Sequence, residues 1–453
     1  MPNTTQSSAG EPAPSALALL PLGIFLLLFI GVGTYLTLQG VDFAFYQLPA
    51  PVAALPAIVV AILLSKEKLN KAIEQFLRGV GHGDIVAMCM IYLLAGAFAS
   101  VAKATGGVDA TVNLGLSLLP ASMILPGIFV ISAFIATAMG TSMGTIAAVA
   151  PVALGIAQTA GMDVALTAGV VLSGAMFGDN LSIISDTTIA ATRSQGCQMK
   201  DKFRENIRIA LPAAVAAILL FLFSSTASEV PATGEIEWLK VLPYITILVL
   251  AVSGLNVFVV LSIGILLAGG IGLVSVADYS LAGYAKDIYA GFGNMQEIFL
   301  LSMMIGGIGE LMRQQGGLAY LTQLVSRVIR VFSKGHSQGQ NLRASELGIA
   351  GLVSMTNCCT ANNTVAIIVS GGVARELADE NGVTPRRSAS LLDIFSCVVQ
   401  GVLPYGAQAL LLGSVFALSP LEVVTHSYYC FFLAIAAVVA VFVKHPSRQA
   451  VTA

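Results

Sequence analysis

The chain has 453 residues, of which 56% are hydrophobic and 10% charged, with a mean hydropathy of +0.87. Soluble domains carry about 25% charged residues, so this composition excludes a soluble fold and predicts an integral membrane protein. Four histidines and a formal net charge of -2 offer no basic surface for nucleic acid, and six scattered cysteines make neither a disulfide framework nor a zinc spacing. A spanning helix needs about 20 apolar residues, which leaves room for about ten to fourteen spans. The apolar runs are long and continuous, unlike the short alternating strands of an outer-membrane barrel.

Residues 1–14 form a polar tail with no basic start, so the first apolar segment reads as a retained helix and not a cleaved signal. No Lys or Arg precedes Lys66. Basic residues then cluster at Lys66 to Arg78, Arg193 to Arg208, Arg313 to Arg343, Arg375 to Arg387, and Lys444 with Arg448. The positive-inside rule places all of them, Lys202 included, on the cytoplasmic side. Span 15–38 then goes out, 49–65 returns and 84–104 goes out again. If 121–158 crossed once, the span 163–193 would deliver Arg193 to Arg208 outside. A re-entrant hairpin at 121–158 removes the conflict. From inside, 209–226 goes out, 241–254 returns, 255–272 goes out and 297–314 returns. Segment 345–378, flanked by Arg343 and Arg375, is expected to be a second hairpin entering from the cytoplasm, and spans 388–416 and 425–443 complete the chain. The predicted fold is an all-α polytopic membrane protein with about ten transmembrane helices, two opposed re-entrant hairpins, two broken helices and both termini cytoplasmic.

The two halves match. Gly81, Gly83, Gly96, Gly106 and Gly107 fall 210 residues before Gly291, Gly293, Gly306, Gly316 and Gly317. Thr137, Thr141 and Thr145 fall 219 residues before Thr356, Thr360 and Thr364, and Gly178 falls 223 before Gly401. Expected units are a first repeat at 15–226, a linker at 227–240, a second repeat at 241–443 and a tail at 444–453. Five crossings per unit force the repeat to be inverted. Inverted repeats with interrupted helices in matching places point to a secondary transporter with its site near the midplane; a channel would not need the pairing. Small residues also serve close helix packing, but here polar and broken elements coincide.

The segment FGDNLSIISDTT, 177–188, lies in the middle of a stretch too long for one straight span, so a break is expected around Gly178 to Asn180. An ionised carboxylate costs several kcal/mol in hydrocarbon and must face protein, water or a cation. Asp179 and Asp186, with Ser182 and Thr187 beside them, supply hard oxygen ligands suited to sodium. Asp179 is the first choice for a carboxylate shared by proton and cation, followed by Asp186 and Asp393. Asp393 lies near the start of its span and alternatively faces Arg386 or Arg387 as an interfacial acid. The hairpin tips add Thr141, Ser142 and Thr145 in the first half and Thr360, Asn362, Asn363 and Thr364 in the second. The second break, Leu403 to Gln408, adds Tyr405 and Gln408 but no acid. Neither break carries Arg or Lys, which favours a cation over a carboxylate cargo. No nucleophile with base and orienter, no phosphate-binding loop and no nucleotide domain is present, so enzymatic function and primary active transport are disfavoured, and no cofactor is expected beyond the coupling ions sodium and proton.

The run GDNLSIISDTTIAATRSQG, 178–196, followed by a basic amphipathic stretch, resembles the signature of the NhaC family of sodium/proton antiporters, within the ion-transporter superfamily. The resemblance implies that superfamily's two inverted repeats, each with a hairpin and a broken helix, and gives Asp179, Ser182, Asp186 and Thr187 the cation and proton roles. It also implies a bacterial inner membrane, with a homodimer as the expected assembly. Ile183 stands where the family usually has proline, and the runs TNCCTANNT and LPYGAQ of the second half are less similar to the pattern. Some relatives exchange or cotransport carboxylates or amino acids. The alternative cargo is therefore a small organic acid or amino acid, held by Asn362, Asn363 and Gln408.

Overall fold

The computed structural model describes residues 12–41, 44, 47–118, 120–183, 185–224, 236–333 and 338–443, and every secondary-structure element among them is helical. Most of the expected 1–14 tail, residues 225–235 around the expected linker and the tail 444–453 lie outside the described residues.

The first half opens with α1 (Leu20–Leu26) and α2 (Val32–Leu38), joined by a π-helical turn at Leu27–Gly31. It continues with α3 (Ala50–Leu63), α4 (Leu69–Val80), α5 (Gly83–Ala104), α6 (Gly107–Leu118), a hairpin of α7 (Ile124–Met139) and α8 (Ser142–Thr159), an interrupted helix of α9 (Val164–Leu181) and α10 (Asp186–Gln195), and α11 (Met199–Ser224). The second half repeats this order with α12 (Trp238–Val252), α13 (Val257–Ser275), α14 (Leu281–Asn294), α15 (Gln296–Gln314), α16 (Gly317–Ser333), a hairpin of α17 (Gln338–Thr360) and α18 (Asn363–Asn381), an interrupted helix of α19 (Pro385–Val402) and α20 (Ala407–Phe416), the short α21 (Pro420–Thr425), and α22 (Tyr428–Phe442).

Eight stretches among the described residues are long and apolar enough to cross a bilayer, and the bent pair of α14 and α15 makes a ninth. The molecule is thus an all-helical polytopic membrane protein. Leu27, Leu63, Phe223 and Val274 are among its large exposed apolar side chains; such a surface is at home in lipid and not in water. The interrupted helices lie at the centre: of the most apolar 18 residues of each stretch, 78% are buried in α9–α10 and 83% in α19–α20, against 33% in α11.

Local chemistry sets the breaks. α7 ends at Gly140, whose φ of +68° is left-handed, and Thr141 caps α8 by accepting from the Gly144 N–H. Such a turn reverses the chain and satisfies orphan backbone groups at both helix ends. The second hairpin is built the same way, with Ala361 at φ +51° and Asn362 accepting from the Val365 N–H. Thr141 therefore corresponds to Asn362. The helix ends Leu181 and Val402, and the helix starts Asp186 and Ala407, keep that same spacing of 221 residues. This corrects the offsets of 219 and 223, which rested on Thr141 with Thr360 and Gly178 with Gly401. It also makes Gln400 the positional counterpart of Asp179.

Two further expectations are corrected. α9 runs straight through Gly178, Asp179 and Asn180 and stops at Leu181, with Ser182 as its cap. Gly178 serves packing instead: a Cβ there would lie 2.4 Å from the Ala133 carbonyl oxygen of α7. And α11 starts at Met199, ten residues earlier than the expected span, which brings Lys202 into the helix.

Candidate functional site

Asp179 lies in the last turn of α9, 5% exposed. Carbonyl oxygens at a helix C-terminus carry partial negative charge, so backbone and carboxylate together favour a cation here. The Asp179 Oδ2 accepts a hydrogen bond of 2.8 Å from the Ser142 hydroxyl on the first residue of α8. Ser142 Oγ in turn accepts from Gln408 Nε2 at 3.0 Å, and Gln408 Oε1 accepts from Gln400 Nε2 at 2.7 Å. This chain of donors, all directed toward Asp179, runs from the second broken helix through the first hairpin tip to the first break.

Asp179 faces a cavity of about 120 Å³ that is open on one side. Thr141 and Ser142 line it from the first hairpin tip, Asn362, Asn363 and Thr364 from the second, Asp186 and Thr187 from the start of α10, and Gln408 from the start of α20. Most of the predicted set therefore meets in one place. Asp186 is exposed at the mouth, while Thr187 is buried, sharing a 3.0 Å hydrogen bond with Ser185. Asn363 Nδ2 and Gln400 Oε1 are buried atoms with no hydrogen-bond partner among the described residues, which leaves one donor and one acceptor available beside the cavity. Asp84 and Gln400 line the cavity too, and neither is among the residues expected from the sequence.

Several predicted residues are turned elsewhere. The Ser182 hydroxyl donates to the Thr137 carbonyl at 2.9 Å, and Thr145 donates to the Thr141 carbonyl at 3.0 Å. Thr360 donates to the carbonyls of Thr356 and Asn362 at 3.0 and 3.2 Å. The Tyr405 hydroxyl donates to the Cys358 carbonyl at 2.6 Å, its ring edge-on to Phe25.

Asp393 is also away from the cavity. It is fully buried in α19 and paired at 2.7 Å with Lys202, itself 1% exposed, not with Arg386 or Arg387. Those two pair with Glu205 and Glu346. Lys202, expected among the basic residues of a cytoplasmic loop, is thus buried in α11; neither break itself carries Arg or Lys, but this ammonium reaches the end of the first one through the Asn180 carbonyl. The signal was present: Lys202, Glu205, Asn206 and Ile209 recur at helical spacing on one face, and all four are buried.

A model of the Na+/H+ antiporter family matches residues 15–226. The chain is 23% identical over 406 residues to the Na+/H+ antiporter NhaC of Bacillus subtilis, covering 83% of this chain and 87% of that protein. Over most of its length the chain is similar to NhaC-type sodium/proton antiporters. It is also similar to the malate-2H+/Na+-lactate antiporter of the same organism, at 23% identity over 86% of this chain and 89% of that protein. The arginine/ornithine antiporter ArcD of Halobacterium salinarum is 24% identical over 77% of this chain and 75% of its own length. The NhaC resemblance carried by residues 178–196 thus extends over most of the chain.

Proposed function

We propose that the protein is a sodium/proton antiporter working by alternating access, with Asp179 as the carboxylate that holds either ion. The carrying observation is the enclosed Asp179 at the edge of a cavity lined by oxygen ligands from both hairpin tips and both breaks. A carboxylate that has taken a proton no longer attracts a cation, so occupancy by proton and sodium is mutually exclusive at one group. Exchange follows when that group is presented to each side in turn. The hairpins and interrupted helices would move as a unit against the remaining helices, with α7–α8 and α17–α18 re-entrant from opposite faces, the two halves inverted, and both termini cytoplasmic in a bacterial inner membrane. A homodimer is the proposed assembly.

One observation favours a second reading. The first turns of α8, α10, α18 and α20 all line the cavity, and helix N-termini favour anions. A small carboxylate or amino acid exchanged against sodium or protons fits that arrangement, as do the names of the malate/lactate and arginine/ornithine relatives. Proteoliposomes loaded with a pH-sensitive dye test both. Sodium, more than potassium, is expected to drive proton movement in the wild type and to fail in Asp179→Asn. Absence of sodium-evoked proton movement, together with uptake of labelled malate, lactate or arginine, would replace the first reading by the second.

A further inference from the structure

The cavity at Asp179 leaves one deeply buried cationic group unused. Lys202 reaches from the first turn of α11 into the protein interior, and its ammonium lies 2.7 Å from Asp393 Oδ2, 2.7 Å from Thr188 Oγ1 and 2.8 Å from the Asn180 carbonyl oxygen. The Asn180 carbonyl is one of the last four of α9, which have no N–H of their own helix to accept from. Asn206, one turn further along α11, donates to Asp393 Oδ2 at 2.7 Å and to the Asn180 carbonyl at 3.0 Å. Asn180 Nδ2 adds a third contact to Asp393 Oδ2 at 3.1 Å, while Asp393 Oδ1 is buried without a hydrogen-bond partner among the described residues. A carboxylate, a hydroxyl and a backbone carbonyl around one positive charge form the oxygen cage that a hard monovalent cation takes. Asn180 is the chain neighbour of Asp179, yet neither Lys202 nor Asp393 lines the cavity. The break thus has an ion-binding face toward the cavity and a second one toward α11 and α19.

We propose that Lys202 is a tethered cation that permanently occupies a second ion site at Asp393, so that Asp179 alone exchanges ions. This rests on the antiport reading of the Asp179 cavity. Asp186 is exposed and Asp84 partly exposed beside His82, so with Asp393 neutralised Asp179 is the one buried carboxylate of the cavity left to exchange ions; each cycle then trades one proton for one monovalent cation and moves no net charge. Ammonium and potassium ions are alike in charge and size. Removing the lysine stem therefore opens the cage to an ion of that class.

The test is equilibrium binding of radiolabelled rubidium to the purified full chain, wild type beside Lys202→Ala and the double variant Lys202→Ala/Asp393→Asn. Lys202→Ala is expected to bind one rubidium ion per chain more than the wild type and to be stabilised by it against heat, and the double variant to lose that extra ion. Folded Lys202→Ala without an additional ion, or a double variant that keeps it, overturns the proposal. Wild-type proteoliposomes decide independently of any variant. Sodium-driven proton movement that ignores a potential imposed with valinomycin supports the proposal, and movement driven by that potential overturns it. A wild type with no sodium-evoked proton movement defeats the antiport reading alone and leaves the rubidium count to judge the second site.

Discussion

Asp179 keeps a single protein hydrogen-bond donor among the described contacts, Ser142, and that donor is itself held by Gln408 and Gln400. The polar residues of the apolar runs 121–158, 163–193 and 345–378 were legible as site candidates because each has to justify its place in hydrocarbon. Gln400 was not, since nothing in its sequence neighbourhood reveals that it stands at the position of Asp179 in the other half. Its role is to hold Gln408 and, through it, Ser142. Gln400→Leu removes one buried hydrogen bond, a net effect of about 0.5–1.5 kcal/mol. The expected result is a roughly 2- to 10-fold rise in the sodium concentration for half-maximal proton movement, with the maximal rate largely kept. An unchanged sodium dependence would show that the chain of amides does not position Ser142.

At the scale of elements, the close approach of α7 and α9 fixes the depth of Asp179. A Cβ on Gly174 would lie 2.5 Å from the Phe129 carbonyl oxygen, and one on Gly178 would lie 2.4 Å from both the Ala133 carbonyl oxygen and the Ala136 Cβ. These neighbours are backbone or Cβ atoms and cannot swing aside. Gly178→Ala is therefore expected to push the two helices apart and to destabilise the protein by about 1–3 kcal/mol, read as a lower midpoint of thermal unfolding in detergent. Gly351→Ala in α17 is the control. A Cβ there meets nothing within 4 Å, and alanine is favoured over glycine inside a helix by about 0.8–1 kcal/mol, so the midpoint should hold or rise. From the sequence, a break is expected around Gly178 to Asn180 because the stretch is too long for one straight span. Glycine admits a neighbouring backbone, and only the position of α7 shows that this is the use of Gly178. The break falls at Ser182 to Ser185, where the Ser185 side chain accepts from the Thr188 N–H and caps α10.

For the whole molecule, glycines bring the halves together. A Cβ on Gly96 of α5 would lie 2.3 Å from the Gly291 carbonyl oxygen of α14, and one on Gly79 of α4 would lie 2.4 Å from that of Gly306 of α15. Three of the glycines matched between the halves, Gly96, Gly291 and Gly306, are thus explained by close backbone contact. The proposed topology puts the start of α11 and the end of the second hairpin on the cytoplasmic side. In a cysteine-free background, Arg204→Cys and Arg375→Cys should both react with an impermeant thiol reagent only from that side, since both positions are exposed. Labelling of Arg204→Cys from outside alone would remove the first re-entrant hairpin. The expected span count comes from the charge distribution along the chain, since hydropathy and basic loops act locally on each segment.

By itself the sequence determined the membrane class, through the cost of placing polar groups in hydrocarbon, and the helix–turn–helix segments at 121–158 and 345–378 with polar residues at their turns, through the basic residues that flank them; it did not reveal α6, α14, α16 or α21. The tertiary structure decided which of those residues face one cavity, the 221-residue register of the halves and the burial of Lys202 against Asp393. Lys202 sits in a basic, polar stretch that reads as a solvated loop. The helical spacing of Lys202, Glu205, Asn206 and Ile209 marks one face of α11, but only the packing of that face against the break and α19 decides what covers it, since Asp393 lies in another segment far along the chain.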